Sequence, residues 1–144
     1  MMRRYPIAAL TLALAVSCHA NAIAEEKLPV AFSATANDSV GRQLAFHFRD
    51  QIGRSGSFTL SNDAILKVSI VTMDPDDGGN QTIYNYTFLI KGDERTLDSY
   101  LSGGVGVCGK QRVQSCAINL MTSLGEQVEL IRQAISGAQK SDFR

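Results

Sequence analysis

Three cysteines and two histidines give this chain of 144 residues its widest chemical reach. Cys108 and Cys116 stand eight positions apart. In an oxidising compartment such a pair joins as a disulfide, and the bridge expected here ties the last strand to the start of the last helix. A redox-active pair holds two residues between its sulfurs, whereas seven separate these. A metal site needs further Cys or His ligands, and His47 is the one histidine beyond residue 24. Neither a metal centre nor a cofactor is expected. Every Ser–His–Asp or Cys–His set would have to share His47, which sits beside an apolar helix stripe and reads as a structural residue. No catalytic residue is assigned, and the expectation is a chain without enzymatic activity.

Carboxylates offer the next chemistry. Asp38, Asp93, Glu94 and Asp98 contain the makings of an acid–base pair, as used in glycoside hydrolysis. Their positions at turns and helix starts are also what capping predicts. Asp74, Asp76, Asp77 and Asn80 resemble a calcium loop of the D-x-D-x-D/N-G type. Gly78 occupies the third ligand place and no closing glutamate follows, so the segment reads as a solvated turn.

Gly103-Gly104-Val105-Gly106-Val107-Cys108-Gly109 is the most unusual string. A glycine-rich loop before a helix can cradle phosphate, but no lysine–serine pair follows here. A flat glycine-rich edge strand instead accepts another chain by strand addition. Gly103, Gly104, Val105 and Gly106, with the nearby cations Lys110 and Arg112, are the candidate partner-binding residues.

The elements that hold these groups begin after a distinctive N-terminus. Met1-Met2-Arg3-Arg4 is basic, Ile7 to Val16 is uncharged and largely apolar, and Ala22-Ile23-Ala24 precedes Glu25-Glu26. That order predicts a secretory signal over residues 1–24, cleaved after Ala24, with Ala20-Asn21-Ala22 as a second choice. The apolar run is about half the roughly 20 residues a spanning helix needs. Leu14-Ala15-Val16-Ser17-Cys18 resembles the lipobox of bacterial lipoproteins, which would make Cys18 a lipid anchor. Residues 25–144 then form one small domain. Without Arg3 and Arg4 it holds 12 basic residues against 14 acidic ones, and no basic run longer than two. Nucleic-acid binding needs clustered cations to displace counterions, so nucleic acid is not an expected partner, and no transmembrane segment is expected in the mature chain.

Leu28 to Ala34 reads as a first strand. Asn37-Asp38-Ser39 caps a helix over about 39–53, with Val40, Leu44, Phe48 and Ile52 on one face and Gly53 and Gly56 as its stop. Short and longer strands follow at 57–60 and 65–73. Thr82 to Lys91 alternates, with Tyr84, Tyr86, Phe88 and Ile90 on one face; the sequence leaves open which face meets the helices. A glycine-rich strand spans 97–107. Val113, Ala117, Leu120, Leu124, Val128, Ile131 and Ile135 predict a helix over about 112–136, stopping at Gly137 before a frayed tail at 138–144. The fold class expected is α+β: a two-layer sandwich of a mostly antiparallel sheet of four to five strands, with both helices on one face.

Val30-Ala31-Phe32, the helix end Phe48-Arg49-Asp50-Gln51-Ile52, Gly56 to Ser61 and Ala64 to Val68 follow one order of elements. Over residues ~30–90 that order resembles the N-terminal α/β module of TolB and the related module of the curli-secretion lipoproteins. The resemblance implies a non-catalytic domain of the bacterial envelope that binds proteins. The function expected is therefore an exported, periplasmic or secreted domain that binds another envelope or secreted protein, or supports an envelope assembly. Membrane attachment through Cys18 is the alternative location. The alternatives in function are a secreted inhibitor or immunity-type protein, and a small-ligand binder or hydrolase.

Overall fold

The computed structural model describes residues 26–92 and 96–141, with side chains through Ala134. The expected leader, Cys18, Asp93, Glu94 and the last three residues of the tail lie outside the described residues. In chain order the elements are β1 (Leu28–Ala36), α1 (Ser39–Arg54), β2 (Phe58–Leu60), β3 (Leu66–Met73), β4 (Gln81–Ile90), β5 (Ser99–Gly109) and α2 (Val113–Ser141). A single 3-10 turn, Lys110–Arg112, joins β5 to α2.

The architecture is α+β. Five strands in the order β2-β1-β3-β4-β5 form one sheet, and α1 and α2 pack together on it. The sheet is mixed rather than mostly antiparallel. β2 and β3 both run parallel to β1, while β3–β4 and β4–β5 are antiparallel. The cause lies at Val30, which stands in register with both Leu60 and Leu66. α1 carries the chain back to the start of β1. β2 then runs along one side of β1, and five residues later the chain continues along its other side as β3.

Alternation selects the buried face. Val30, Val68, Ile70 and Phe88 point at the helices and are at most 1% exposed. Val40, Leu44, Phe48 and Ile52 of α1 and Ala117, Leu120 and Leu124 of α2 meet them, each at most 2% exposed. Burying one such aliphatic or aromatic side chain stabilises the fold by about 1.5–3 kcal/mol. Phe32 meets Phe48 edge-to-face at 5.3 Å. The aromatic face of β4 is thus the inner one: Phe88 is buried, and Tyr84 and Tyr86 pack against the core.

Helix ends differ from the glycine-based expectation. α1 passes through Gly53 and stops at Ser55, whose extended backbone turns its N–H to the Ile52 carbonyl. α2 likewise runs through Gly137 to Ser141, into the segment read as a frayed tail. Glycine permits a stop without requiring one.

The start of α1 is fixed more firmly. Asp38 is only 9% exposed. Its carboxylate accepts hydrogen bonds from the Gly41 N–H at 2.6 Å, the Thr72 hydroxyl at 2.7 Å and the Thr82 hydroxyl at 2.9 Å. One side chain therefore caps α1 and pins it to β3 and β4. A Cβ at Gly41 would collide with the Thr72 hydroxyl and the Asp38 carboxylate, so only glycine allows this approach. Burial raises the Asp38 pKa, but the bonds from Thr72, Gly41 and Thr82 outweigh it, and the net direction is downward from 3.8. A lowered carboxylate stabilises the fold in full above the unfolded value, and that stability drains away as pH falls through the folded value. Asp38→Ala should cost about 2–4 kcal/mol, from a lost cap and two stranded hydroxyls. Wild-type stability should decline below about pH 4, and Asp38→Asn should flatten that decline. Chemical denaturation across a pH series measures both.

Candidate functional site

β5 is an edge of the sheet, 11 residues long; the opposite edge, β2, has three. The Lys110 N–H donates to the Asn80 carbonyl at 2.8 Å. In an antiparallel pair, backbone groups turn alternately toward and away from the neighbouring strand. Ser102, Gly104, Gly106 and Cys108 therefore face β4, opposite Phe88, Tyr86, Tyr84 and Thr82. Gly103, Val105, Val107 and Gly109 turn their N–H and C=O groups outward. Among the described residues no strand pairs with that side.

The glycines on the inner face have a packing cause. Tyr86 lies across Gly104 and Tyr84 across Gly106. A Cβ at Gly104 would stand 2.8 Å from the Tyr86 hydroxyl, and one at Gly106 2.5 Å from that of Tyr84. The two rings sit 6.3 Å apart and cover the strand where it has no side chains of its own. Burial, then the neighbouring Tyr86, raise the Tyr84 phenol above its ordinary pKa. The sequence carried this signal in matched period-two runs, Tyr84/Tyr86 and Gly104/Gly106.

Among the described residues nothing covers the outer face of the sheet. Val71, Met73, Val105, Val107 and Tyr100 are each at least half exposed. Register aligns Met73, Ile83 and Val107 in one row and Val71, Asn85 and Val105 in the next. Sequence reasoning missed this apolar surface, because face assignment needs the register of three strands. Lys110 and Arg112 are exposed and border a shallow depression of about 330 Å³ with Asn80, Gly109 and Gln111. The six candidate residues thus lie on one edge, although Gly104 and Gly106 serve the inner packing.

Cys108 and Cys116 are joined as a disulfide, with their Cα atoms 6.2 Å apart. Both are buried. The bridge fastens the end of β5 to the first turns of α2, and on the chain-entropy account a loop this short contributes about 2–3 kcal/mol.

The other candidates are dispersed. Asp74 accepts from the N–H groups of Gly79 at 2.7 Å and Asp76 at 3.2 Å, and Asp76 from Gly78 at 3.3 Å. The backbone bond from Gly79 leads in lowering the Asp74 pKa. These carboxylates hold the turn, where Asp77 and Gly79 take positive φ. Asp98 accepts from Lys67 at 2.6 Å and from the Gly92 N–H at 3.0 Å, and Asp38 is spent on the helix cap. His47 is half-buried, its ring edge-on to Phe46 at 5.6 Å. Among the described residues no three His, Cys, Asp or Glu side chains converge on a metal position. A separate apolar pocket of about 390 Å³ opens between α2 and the sheet, lined by Leu28, Ile65, Leu66, Ile90, Val128 and Ile131, with Arg132 among its walls.

These features define a class: a small α+β domain with two helices on one sheet face and, among the described residues, a long edge strand that no other strand pairs with. No protein-family model matches the chain, and no curated protein does. Among solved structures it is similar to protein XCC0632 of Xanthomonas campestris, a DUF330 protein. The TM-score is 0.58 at 9% identity, over 74% of this chain and 88% of that one. The two share a fold. CT253 of Chlamydia trachomatis, a hypothetical protein, aligns at a TM-score of 0.41 and 9% identity over 58% of this chain and 73% of that one. The PelC dodecamer of Paraburkholderia phytofirmans aligns at 0.40 and 13% identity over 65% and 81%. Neither of these two reaches the level at which a common fold follows. No described helix is long and apolar enough to cross a membrane.

Gly106→Val should force the Tyr84 ring off β5 and lower stability by about 1–3 kcal/mol. Val105→Thr, on the open face of the same strand, should change it by less than about 0.5 kcal/mol. Paired thermal melts compare the two.

Proposed function

We propose that this chain is an exported, non-enzymatic domain that binds a protein partner along the free edge of β5. One observation carries the reading: an 11-residue edge strand with no proline, no charged residue and no covering element among the described residues. Soluble proteins ordinarily blunt such an edge with charge, proline or a cap, because it templates pairing with another chain. Here the only irregularity is a bulge at the beginning of the strand, where Phe88 pairs with Ser102 and Leu89 with Tyr100.

Export is supported by the basic–apolar–small order of residues 1–24 and by the bridged cysteines, since disulfides persist in oxidising compartments. The mature protein is then periplasmic or secreted, beginning at Glu25, or anchored at Cys18 if the lipobox is used. The sequence resemblance of residues ~30–90 to the TolB and curli-lipoprotein modules supports an envelope role. The inhibitor reading shares every one of these features and differs in predicting a tight one-to-one complex. The apolar pocket beside α2 favours a second reading, an apolar small ligand, because such sites are concave and mostly hydrophobic.

A photo-crosslinking residue at Val105, whose side chain is 70% exposed, should capture protein in cells, while the same residue at exposed Glu129 on α2 should not. N-terminal sequencing of the purified chain should begin at Glu25, or at a lipidated Cys18. Equal capture from both positions, or a cytosolic protein starting at Met1, overturns the reading.

A further inference from the structure

We infer that the partner of the β5 edge is a second copy of this chain, paired antiparallel about a two-fold axis through Gly106; the inference rests on β5 being a protein-binding edge. The outward-turned residues read Gly103, Val105, Val107, Gly109, the same in both directions. In a two-fold contact each position meets a counterpart from the same patch, and this palindrome sets residues of equal size opposite one another. About Gly106, Val105 of one copy lies opposite Val107 of the other, and Gly103 opposite Gly109. Every outward N–H and C=O then meets a complementary group, and no side chain larger than valine stands between the strands.

Charge fixes the orientation. Lys110 and Arg112 follow one end of β5; Asp98 and the exposed ring of Tyr100 mark the other. Antiparallel pairing brings the cations of each copy toward the exposed Tyr100 ring of its mate, where a cation can lie over the aromatic face; Asp98 beside it is already paired with Lys67 of its own chain. Parallel pairing would set cations against cations. None of the four outward residues bears a charge that would select a foreign strand of opposite sign.

The open face continues across the junction. The row Met73, Ile83, Val107 of one copy meets Val105, Asn85, Val71 of the other. Ten strands then form a single sheet, and the two apolar patches become one.

The test uses the full chain, expressed with its own N-terminal segment, and two double variants, V105K/V107K and V105D/V107D. Light scattering over a concentration series should give twice the protomer mass for the wild type. Each double variant sets like charges opposite one another and should give the protomer mass. An equimolar mixture of the two should restore the dimer as a one-to-one heterodimer. Val105→Pro removes an edge donor without touching the β4 ladder, and should give the protomer mass whether or not a charged pair disturbs the sheet. A wild type that stays monomeric, double variants that stay dimeric, or a mixture that stays monomeric overturns the inference. If a monomeric wild type still captures a different protein from position 105, the second copy is excluded and the protein-binding edge stands. Capture of nothing removes both.

Discussion

Period-two alternation along β5 governs what this molecule can offer to others. From Ser102 to Gly109, beyond the bulge, even-numbered residues turn their backbone groups to β4 and face the helices, so the fold consumes both. Odd-numbered residues there turn backbone groups to the sheet edge and side chains to the open face, so the fold consumes neither. The strand is held from within by the Tyr84 and Tyr86 rings over Gly106 and Gly104 and by the Cys108–Cys116 bridge at its end. Anchoring on one side and vacancy on the other follow from the same geometry. Because the glycines bring no side chains of their own, the rings supply the missing burial, and the outer half of the strand stays available without loss of the core.

Asp38 does a comparable task at the middle of the sheet, over β3 and β4. A buried carboxylate is costly unless its charge is met by donors, and here three are supplied from α1, β3 and β4. The cap therefore sets the distance of α1 from the sheet as well as its first turn, and Gly41 is the residue that lets the distance close. With α1 fixed, α2 packs beside it, and the bridge fixes α2 to β5. The chain of constraint runs from the helix cap over β3 and β4, through the packed helices and the bridge, to β5.

Much of this was legible from local pattern. The two helices, the β3–β4 hairpin and the disulfide pair follow from spacing and residue type, because each is set by neighbours within a few positions. Strand order was not legible: β2 has three residues, and its parallel register with β1 depends on contacts some 30 positions apart. Helix ends at Gly53 and Gly137 misled, since glycine tolerates both a stop and a continuation. The edge was readable as an unusual glycine string, yet its meaning changed once Tyr84 and Tyr86 were seen to fill the space above Gly104 and Gly106. The open apolar rows were invisible, as they draw single residues from three strands whose register the sequence does not state.

An unprotected edge alone makes a weak contact. The four outward residues of each copy would form about eight backbone hydrogen bonds, each with a net contribution of about 0.5–1.5 kcal/mol once competition from water is counted. Their sum, about 4–12 kcal/mol, is of the same order as the roughly 4–15 kcal/mol lost in freezing two free bodies into one. Main-chain pairing therefore gives register and direction but leaves affinity near balance. The surplus has to come from apolar area, at about 25 cal/mol per Å² removed from water. Among the described residues Val105 and Val107, with Tyr100 at the end of the strand, are placed to supply it at the junction, and the rows behind them on β3 and β4 extend the same surface. On the proposed pairing, edge and open face would act as one feature: the backbone would specify how two strands align, and the exposed valines would decide whether they stay together.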